Sequence, residues 1–324
     1  MRAGEGSDGR AGAAWPARLH VVTGKGGTGK TTVAAALALA LAGDGRRVLL
    51  VEVEGRQGIA QLFGTDPLPY AERPIATTAA GGEVRALAVD AEEALLEYLD
   101  MFYKLGAAGK ALRKFGAIDF ATTIAPGLRD VLLTGKVKEA TTRTADRRRV
   151  YDAVVLDAPP TGRIGRFLNV TAEAARLAKV GPIKNQSEGV AALLRSPITA
   201  VHVVTLLEEM PVQETLDAIG ELTALRIPVG RVIVNGARPP QPAGRITQPE
   251  LRRGLAAAGL PTDRATVSGL HTEARDQLVR RALEESLRAD LAELGLPQVE
   301  LPLLPEGMDR AGLNALAGLL AAAD

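Results

Sequence analysis

Gly24-Lys25-Gly26-Gly27-Thr28-Gly29-Lys30-Thr31 is the stretch that decides how this chain is read. Glycines at 24, 26, 27 and 29 let successive backbone amides converge on phosphate oxygens, at dihedral angles that a side chain forbids. The loop also opens a helix, whose N-terminal amides carry partial positive charge. Gly24, Gly26, Gly27, Thr28, Gly29 and Lys30, with Thr31 and Thr32 at the first turn of that helix, form the candidate nucleotide-binding set. Lys30 is placed to reach the β- and γ-phosphates, and the Thr31 hydroxyl to hold Mg²⁺. The flanks have the required order. LHVVT at Leu19 to Thr23 reads as a short apolar strand, and TVAAALALAL at Thr32 to Leu41 as a helix.

Working outward, RVLLVEVE at Arg47 to Glu54 reads as a buried parallel strand, and further strands are expected at Val84 to Asp90, Tyr151 to Asp157, Ala200 to Leu206, Gly230 to Asn235 and Val299 to Leu303. Helical patterns fall at 91–105, 122–142, 163–179, 211–225, 248–259, 271–294 and 308–322. Alternation of the two predicts an α/β, doubly wound, mostly parallel sheet of about seven strands, with ligands at the carboxyl ends of the strands. Residues 1–17 read as a flexible tail. Residues 18–324 read as one domain with helical insertions at about 91–150 and 163–198 that make a helical subdomain.

Composition excludes several classes. The net charge of +1 offers no global field for nucleic acid, and only nine of the 39 basic residues are lysines. The chain has no cysteine, which rules out thiolate zinc and arsenite sites and makes a reducing cytoplasm the default location. No apolar run long enough for stable membrane insertion is present.

Two acidic positions complete the chemistry. Alternation puts Glu52 and Glu54 on one face at the end of their strand, where a metal-bound phosphate would sit. Asp157 ends another apolar strand, in DAPPTG at Asp157 to Gly162, the arrangement that anchors Mg²⁺ or its water shell.

Lys25, directly after the first glycine, resembles the deviant phosphate loop of the dimeric ATPases that include the arsenical pump and tail-anchored-protein targeting ATPases. DAPPTG resembles the second switch of that branch, with Arg163 where the pattern has histidine. PGLRD at Pro126 to Asp130, the run containing Glu209, Pro211, Glu214 and Thr215, and VIVN at Val232 to Asn235 are further matches, and the wording is most like an actinobacterial branch. The resemblance implies an ATP- and Mg²⁺-dependent hydrolase that works as a homodimer or with a paralogue, Lys25 reaching the partner's nucleotide. It implies Glu54 as the residue that orients or deprotonates the attacking water, with Thr31, Glu54 and Asp157 around the metal, Gly162 near the γ-phosphate and Asn235 on the adenine edge. The first switch departs from the family, since Glu54 stands for an aspartate and Gly55, Arg56 and Gln57 replace Pro-Ala-His. The resemblance also implies a protein or membrane-associated client. A nucleotide-gated scaffold with weak or no hydrolysis, and a partition or septum-site type ATPase, are the alternatives. Five of the ten aromatics fall at Tyr98, Phe102, Tyr103, Phe115 and Phe120, and packing against the sheet is the expected use of that cluster.

Overall fold

The protein is described here from a computed structural model, which describes residues 14–103, 126–169, 182–239 and 247–323. Eight strands form the central sheet: β1 Leu19–Gly24, β2 Arg47–Glu52, β3 Arg73–Thr77, β4 Glu83–Ala88, β7 Ala153–Asp157, β8 Thr199–Thr205, β9 Val229–Ala237 and β10 Gln298–Pro302. A separate two-stranded hairpin pairs β5 Thr144–Ala145 with β6 Arg148–Arg149. The sheet order is β10-β9-β8-β1-β7-β2-β4-β3. Only β3 runs antiparallel, against β4.

The expected sheet of about seven strands is therefore one strand short, and the missing strand is β3. RPIAT carries Pro74, which removes a ladder donor, and an edge strand tolerates that because it pairs on one side alone. β2 ends at Glu52 rather than Glu54, because the backbone turns at Gly55, which has φ +69°.

The central strands are buried on both faces, which is why they read as continuous apolar runs. Their alternation divides two cores. Val21, Leu49, Val51, Val154, Leu156, Val203 and Val234 face one, and Val22, Val48, Leu50, Val155, Val204 and Ile233 face the other. The second core is closed by α1 Lys30–Ala42 and α2 Gly58–Phe63, with α10 Arg310–Ala321 over α1. Six alanines from Ala34 to Ala42 keep α1 slim enough to lie between sheet and helix.

On the first core lie α3 Ala91–Tyr103, α4 Pro126–Thr142, α5 Thr161–Leu168, α6 Pro182–Leu194 and α7 Glu209–Ala224. α4 packs against both α3 and α6, so the two expected helical intervals meet through it. Residues 104–125, with Phe115 and Phe120, and 170–181 lie outside the described residues, so the expected aromatic cluster falls mostly beyond them. α8 Gln248–Ala257 packs on α9 Arg264–Ala292. α9 begins seven residues before the expected 271, because Asp263 caps it by accepting the Thr266 amide at 3.0 Å.

Inside the range read as a tail, Trp15 is 1% exposed. Its Nε1 donates to the Leu320 carbonyl at 2.9 Å, its ring meets His202 edge-on at 4.9 Å, and the Arg231 guanidinium lies 5.0 Å above it. One large aromatic thus draws the chain onto the fold from Ala14 onward, where composition alone reads only small and polar residues. Among the described residues no helix is long and apolar enough to cross a membrane.

Candidate functional site

β1 is the central strand that delivers the glycine-rich loop to the carboxyl edge of the sheet. A Cβ at Gly24 would run into the Val204 carbonyl of β8, so glycine is required there by a neighbouring backbone. Gly27 and Gly29 take φ of +90° and +84°, the left-handed region that side chains resist. The turn is braced internally, since the Thr28 hydroxyl donates to the Lys25 carbonyl at 2.8 Å. It is braced externally by Thr23, whose hydroxyl donates to the Pro159 carbonyl of the DAPPTG segment at 2.7 Å. Gly29 is the N-cap of α1 and Lys30 its first residue, so Lys30 is held at the helix N-terminus and is buried.

The carboxylates converge beside the loop. β2 and β7 are parallel neighbours in a register that sets Glu52 opposite Asp157, and β1 sets Val22 opposite Asp157 on the other side. Glu52 is 2% exposed and Asp157 7%. Thr31 Oγ1 donates to Asp157 Oδ2 at 2.7 Å, which joins the predicted Mg²⁺ hydroxyl and the predicted Mg²⁺ carboxylate directly. Asp157 Oδ1 is buried and has no hydrogen-bond partner among the described residues. Burial pushes the Asp157 carboxyl up to about 6; Glu52 and Glu54 add to the shift, while Thr31 and Lys30 oppose it. An acceptor oxygen that is buried, unpaired and held in an unfavourable charge state is suited to a hard cation. The residues present therefore fit Mg²⁺, which Thr31 Oγ1 and Asp157 Oδ1 would hold.

Glu52 and Glu54 have different jobs. Glu52 accepts the Gln57 amide at 2.5 Å and the Ile59 amide at 3.2 Å, so it caps α2 and fixes the turn after β2. Gln57 then exchanges two hydrogen bonds with the Leu68 backbone, 2.6 Å to its amide and 3.2 Å to its carbonyl. Glu54 stays partly open, 3.9 Å from the Arg56 Nε. A strand-end acid and a helix-capping acid look alike in sequence, so this division was not readable from the spacing.

Lys25 does not point freely into solvent. Its Nζ lies 2.7 Å from Glu214 Oε1, and Glu214 Oε2 accepts the Thr161 hydroxyl at 3.0 Å. One carboxylate on α7 thereby bridges the phosphate loop and the DAPPTG turn, and Lys25 holds it below the usual carboxylate range. Glu214 was visible in the sequence as part of a helix start, but nothing there announced its partner. Gly162 follows Thr161 in the first turn of α5, with open space where a Cβ would stand. Arg163 lies 3.9 Å from Asp130 of α4. Asn235, at the carboxyl end of β9, donates its side-chain amide to the Thr28 carbonyl at 2.9 Å. Thr32 lies in the first turn of α1, half-buried.

The model of the anion-transporting ATPase family matches residues 17–196. The chain is 54% identical to ATPase BagA of Mycobacterium tuberculosis, over 97% of each chain. It is 26% identical to the arsenical pump-driving ATPase of Escherichia coli over 92% of this chain and 48% of that one, and 27% identical to ATPase GET3 of Kluyveromyces lactis over 53% and 52%. With a phosphate loop on the central strand, an acid at the end of β7 beside it and of β2 beyond, and a match across more than half its length, the chain belongs to the anion-transporting ATPase family.

Proposed function

We propose that this chain is a cytoplasmic, Mg²⁺-dependent ATP hydrolase whose nucleotide state opens and closes a dimer, with a second copy or a paralogue, to handle a protein or membrane-associated client. The observation that carries the reading is the Thr31–Asp157 pair, whose remaining carboxylate oxygen is buried without a partner beside the glycine-rich loop. Bound Mg²⁺ would neutralise charge on the β- and γ-phosphate oxygens. The chain's own groups do the rest. The loop amides and the α1 N-terminus bind the phosphates, and Lys30 supplies a fixed positive charge among them. Glu54 orients a water and takes its proton as the water oxygen bonds to the γ-phosphorus and the bond to the bridging oxygen breaks, releasing ADP and phosphate.

Lys25 is the proposed dimer element. Its pair with Glu214 leaves both side chains about a third exposed, at 28% and 33%, so it is an accessible contact rather than a buried one. Exposed ion pairs contribute at most about 1 kcal/mol. A polyphosphate presented by a partner carries more charge than one carboxylate and can draw Lys25 away. Gly162 and Thr161 then register the change, because Glu214 loses one of its two partners.

Single-turnover ATP hydrolysis by the purified chain, alone and mixed with its paralogue, tests the reading, with Lys30→Ala as the control. ATP binding without phosphate release under either condition would convert the reading to a nucleotide-gated scaffold. Salt-sensitive DNA binding would favour a partition-type role. Pull-down with the ATP-locked chain would identify the client.

A further inference from the structure

Asn235 was expected on the adenine edge, and in the structure its amide makes a contact that the sequence did not announce. Its Nδ2 donates to the Thr28 carbonyl at 2.9 Å and stands where a Cβ on residue 29 would be, so Gly29 is required by this contact as well as by its φ of +84°. The strand order separates β9 from β1 by β8, so Asn235 reaches back over a whole strand to the loop.

We propose that Asn235 is a positioning residue of the phosphate loop, acting on the peptide between Thr28 and Gly29. The inference rests on the reading of that loop as a polyphosphate site. A trans peptide is planar, with its carbonyl and its N–H on opposite sides. Holding the Thr28 oxygen therefore turns the Gly29 N–H away from Asn235. Gly29 is the N-cap of α1, where unpaired helix amides gather and an anion is drawn. Release of the carbonyl lets this peptide rotate, which removes one amide from the anion's side and brings an oxygen lone pair toward it. Rotation of this peptide turns on ψ of Thr28 and φ of Gly29, a glycine at +84°, so its own residues restrain it on one side only. The preceding turn has its own brace in the Thr28 hydroxyl bond to Lys25, which leaves the last peptide for Asn235.

The experiment uses the full chain with Asn235→Ala and Asn235→Asp, titrated calorimetrically with Mg-ATP, Mg-GTP and inorganic tripolyphosphate, which has no base. For Asn235→Ala, tripolyphosphate should weaken about tenfold, the scale of one hydrogen bond, and ATP at least as much. Asn235→Asp should weaken both further, because a carboxylate of the same shape faces the Thr28 oxygen without a proton to donate. Two results overturn the proposal: tripolyphosphate affinity unchanged while ATP affinity falls, the mark of base recognition, or an Asp variant milder than Ala, the mark of volume filling alone. Melting temperatures without ligand separate loop effects from unfolding, and Asn235→Ser replaces any variant that does not fold. A wild-type chain that binds none of the three ligands overturns the polyphosphate reading itself.

Discussion

Replacing Asp157 with asparagine should stabilise the ligand-free protein while removing its response to Mg²⁺. The carboxyl sits at about 6 instead of the ordinary 3.8, with burial as the first cause and the carboxylates of Glu52 and Glu54 adding to it. A shift of about two units corresponds to about 3 kcal/mol of penalty on the ionised form. The sign follows from the raised value. The penalty is absent below pH 3.8, where the group is protonated in both folded and unfolded chains; it grows between 3.8 and 6 and is complete above 6. Asparagine keeps the acceptor for Thr31 but puts an amide nitrogen at the unpartnered Oδ1 position, which returns about 1 kcal/mol. A net gain of about 2 kcal/mol raises the melting temperature of this 324-residue chain by roughly 3 °C at pH 8. Calorimetric melting of wild type and variant from pH 4.5 to 8, with and without Mg-ATP, measures it. The gap should widen up to about pH 6 and then stay flat, and Mg-ATP should raise the melting temperature of the wild type more than that of the variant. A variant less stable than wild type, or a gap independent of pH, would refute the idea that this carboxylate is held at a cost to be recovered by a cation.

Four further outcomes are expected. Mg²⁺ affinity of the wild type should fall about tenfold for each pH unit below 6, because a proton and the cation compete for the same carboxylate; a flat titration would remove Asp157 from the metal site. Glu54→Gln should slow single-turnover hydrolysis at least about a hundredfold while ATP binding is retained, and unchanged turnover would end its assignment as the base. Mixing Lys25→Ala with intact chains should give activity that depends on the mixing ratio, and full activity independent of that ratio would contradict a role across a dimer. The fold should also weaken on acidification. His20 is held at about 4 and His202 well below its ordinary 6.5 by burial, so stability present above 6.5 is lost as pH falls toward 4, and His20→Gln should flatten that slope in denaturant titrations.

How much of this was legible in the sequence depends on whether the physics was local. The phosphate loop, β1, β2, β7 and β8 were readable, because glycine spacing and continuous apolar runs have few other uses. Asp157 was readable because its strand ends on it. β3 was not, since an edge strand of five residues with a proline has neither a run nor an alternation to show. Trp15 is alone among polar and small neighbours, and its partners come from distant parts of the chain, His202 on β8, Arg231 on β9 and Leu320 at the end of α10. Glu52 and Glu54 share one spacing, but Glu52 caps a helix while Glu54, just before the turn at Gly55, stays partly open beside Arg56. Asn235 was found as a residue of interest, yet its partner lies across a strand.

The contacts around the loop differ in kind, and the difference says which of them can switch. The Thr23, Thr28 and Asn235 bonds all end on backbone carbonyls. Losing the Thr23 or Asn235 bond takes a donor from a backbone carbonyl, at a cost of about 1–3 kcal/mol with no charge to answer a ligand, while the Lys25 carbonyl keeps the Thr28 amide at 3.3 Å. They hold the loop's shape. The Lys25–Glu214 pair is ionic and about a third exposed, so water readily replaces either partner and its net worth is below about 1 kcal/mol. A polyphosphate therefore displaces this contact first, well before it disturbs the frame. Because Glu214 also accepts the Thr161 hydroxyl, the displacement reaches the DAPPTG turn through one carboxylate and no intervening packing. Glu214→Gln separates the two functions. It keeps an acceptor for Thr161 and removes the charge that holds Lys25, so the variant should form its ATP-bound dimer at lower nucleotide concentration than wild type. Dimer formation that is unchanged, or weaker, with folding intact would show that Glu214 positions Lys25 for the partner rather than holding it back.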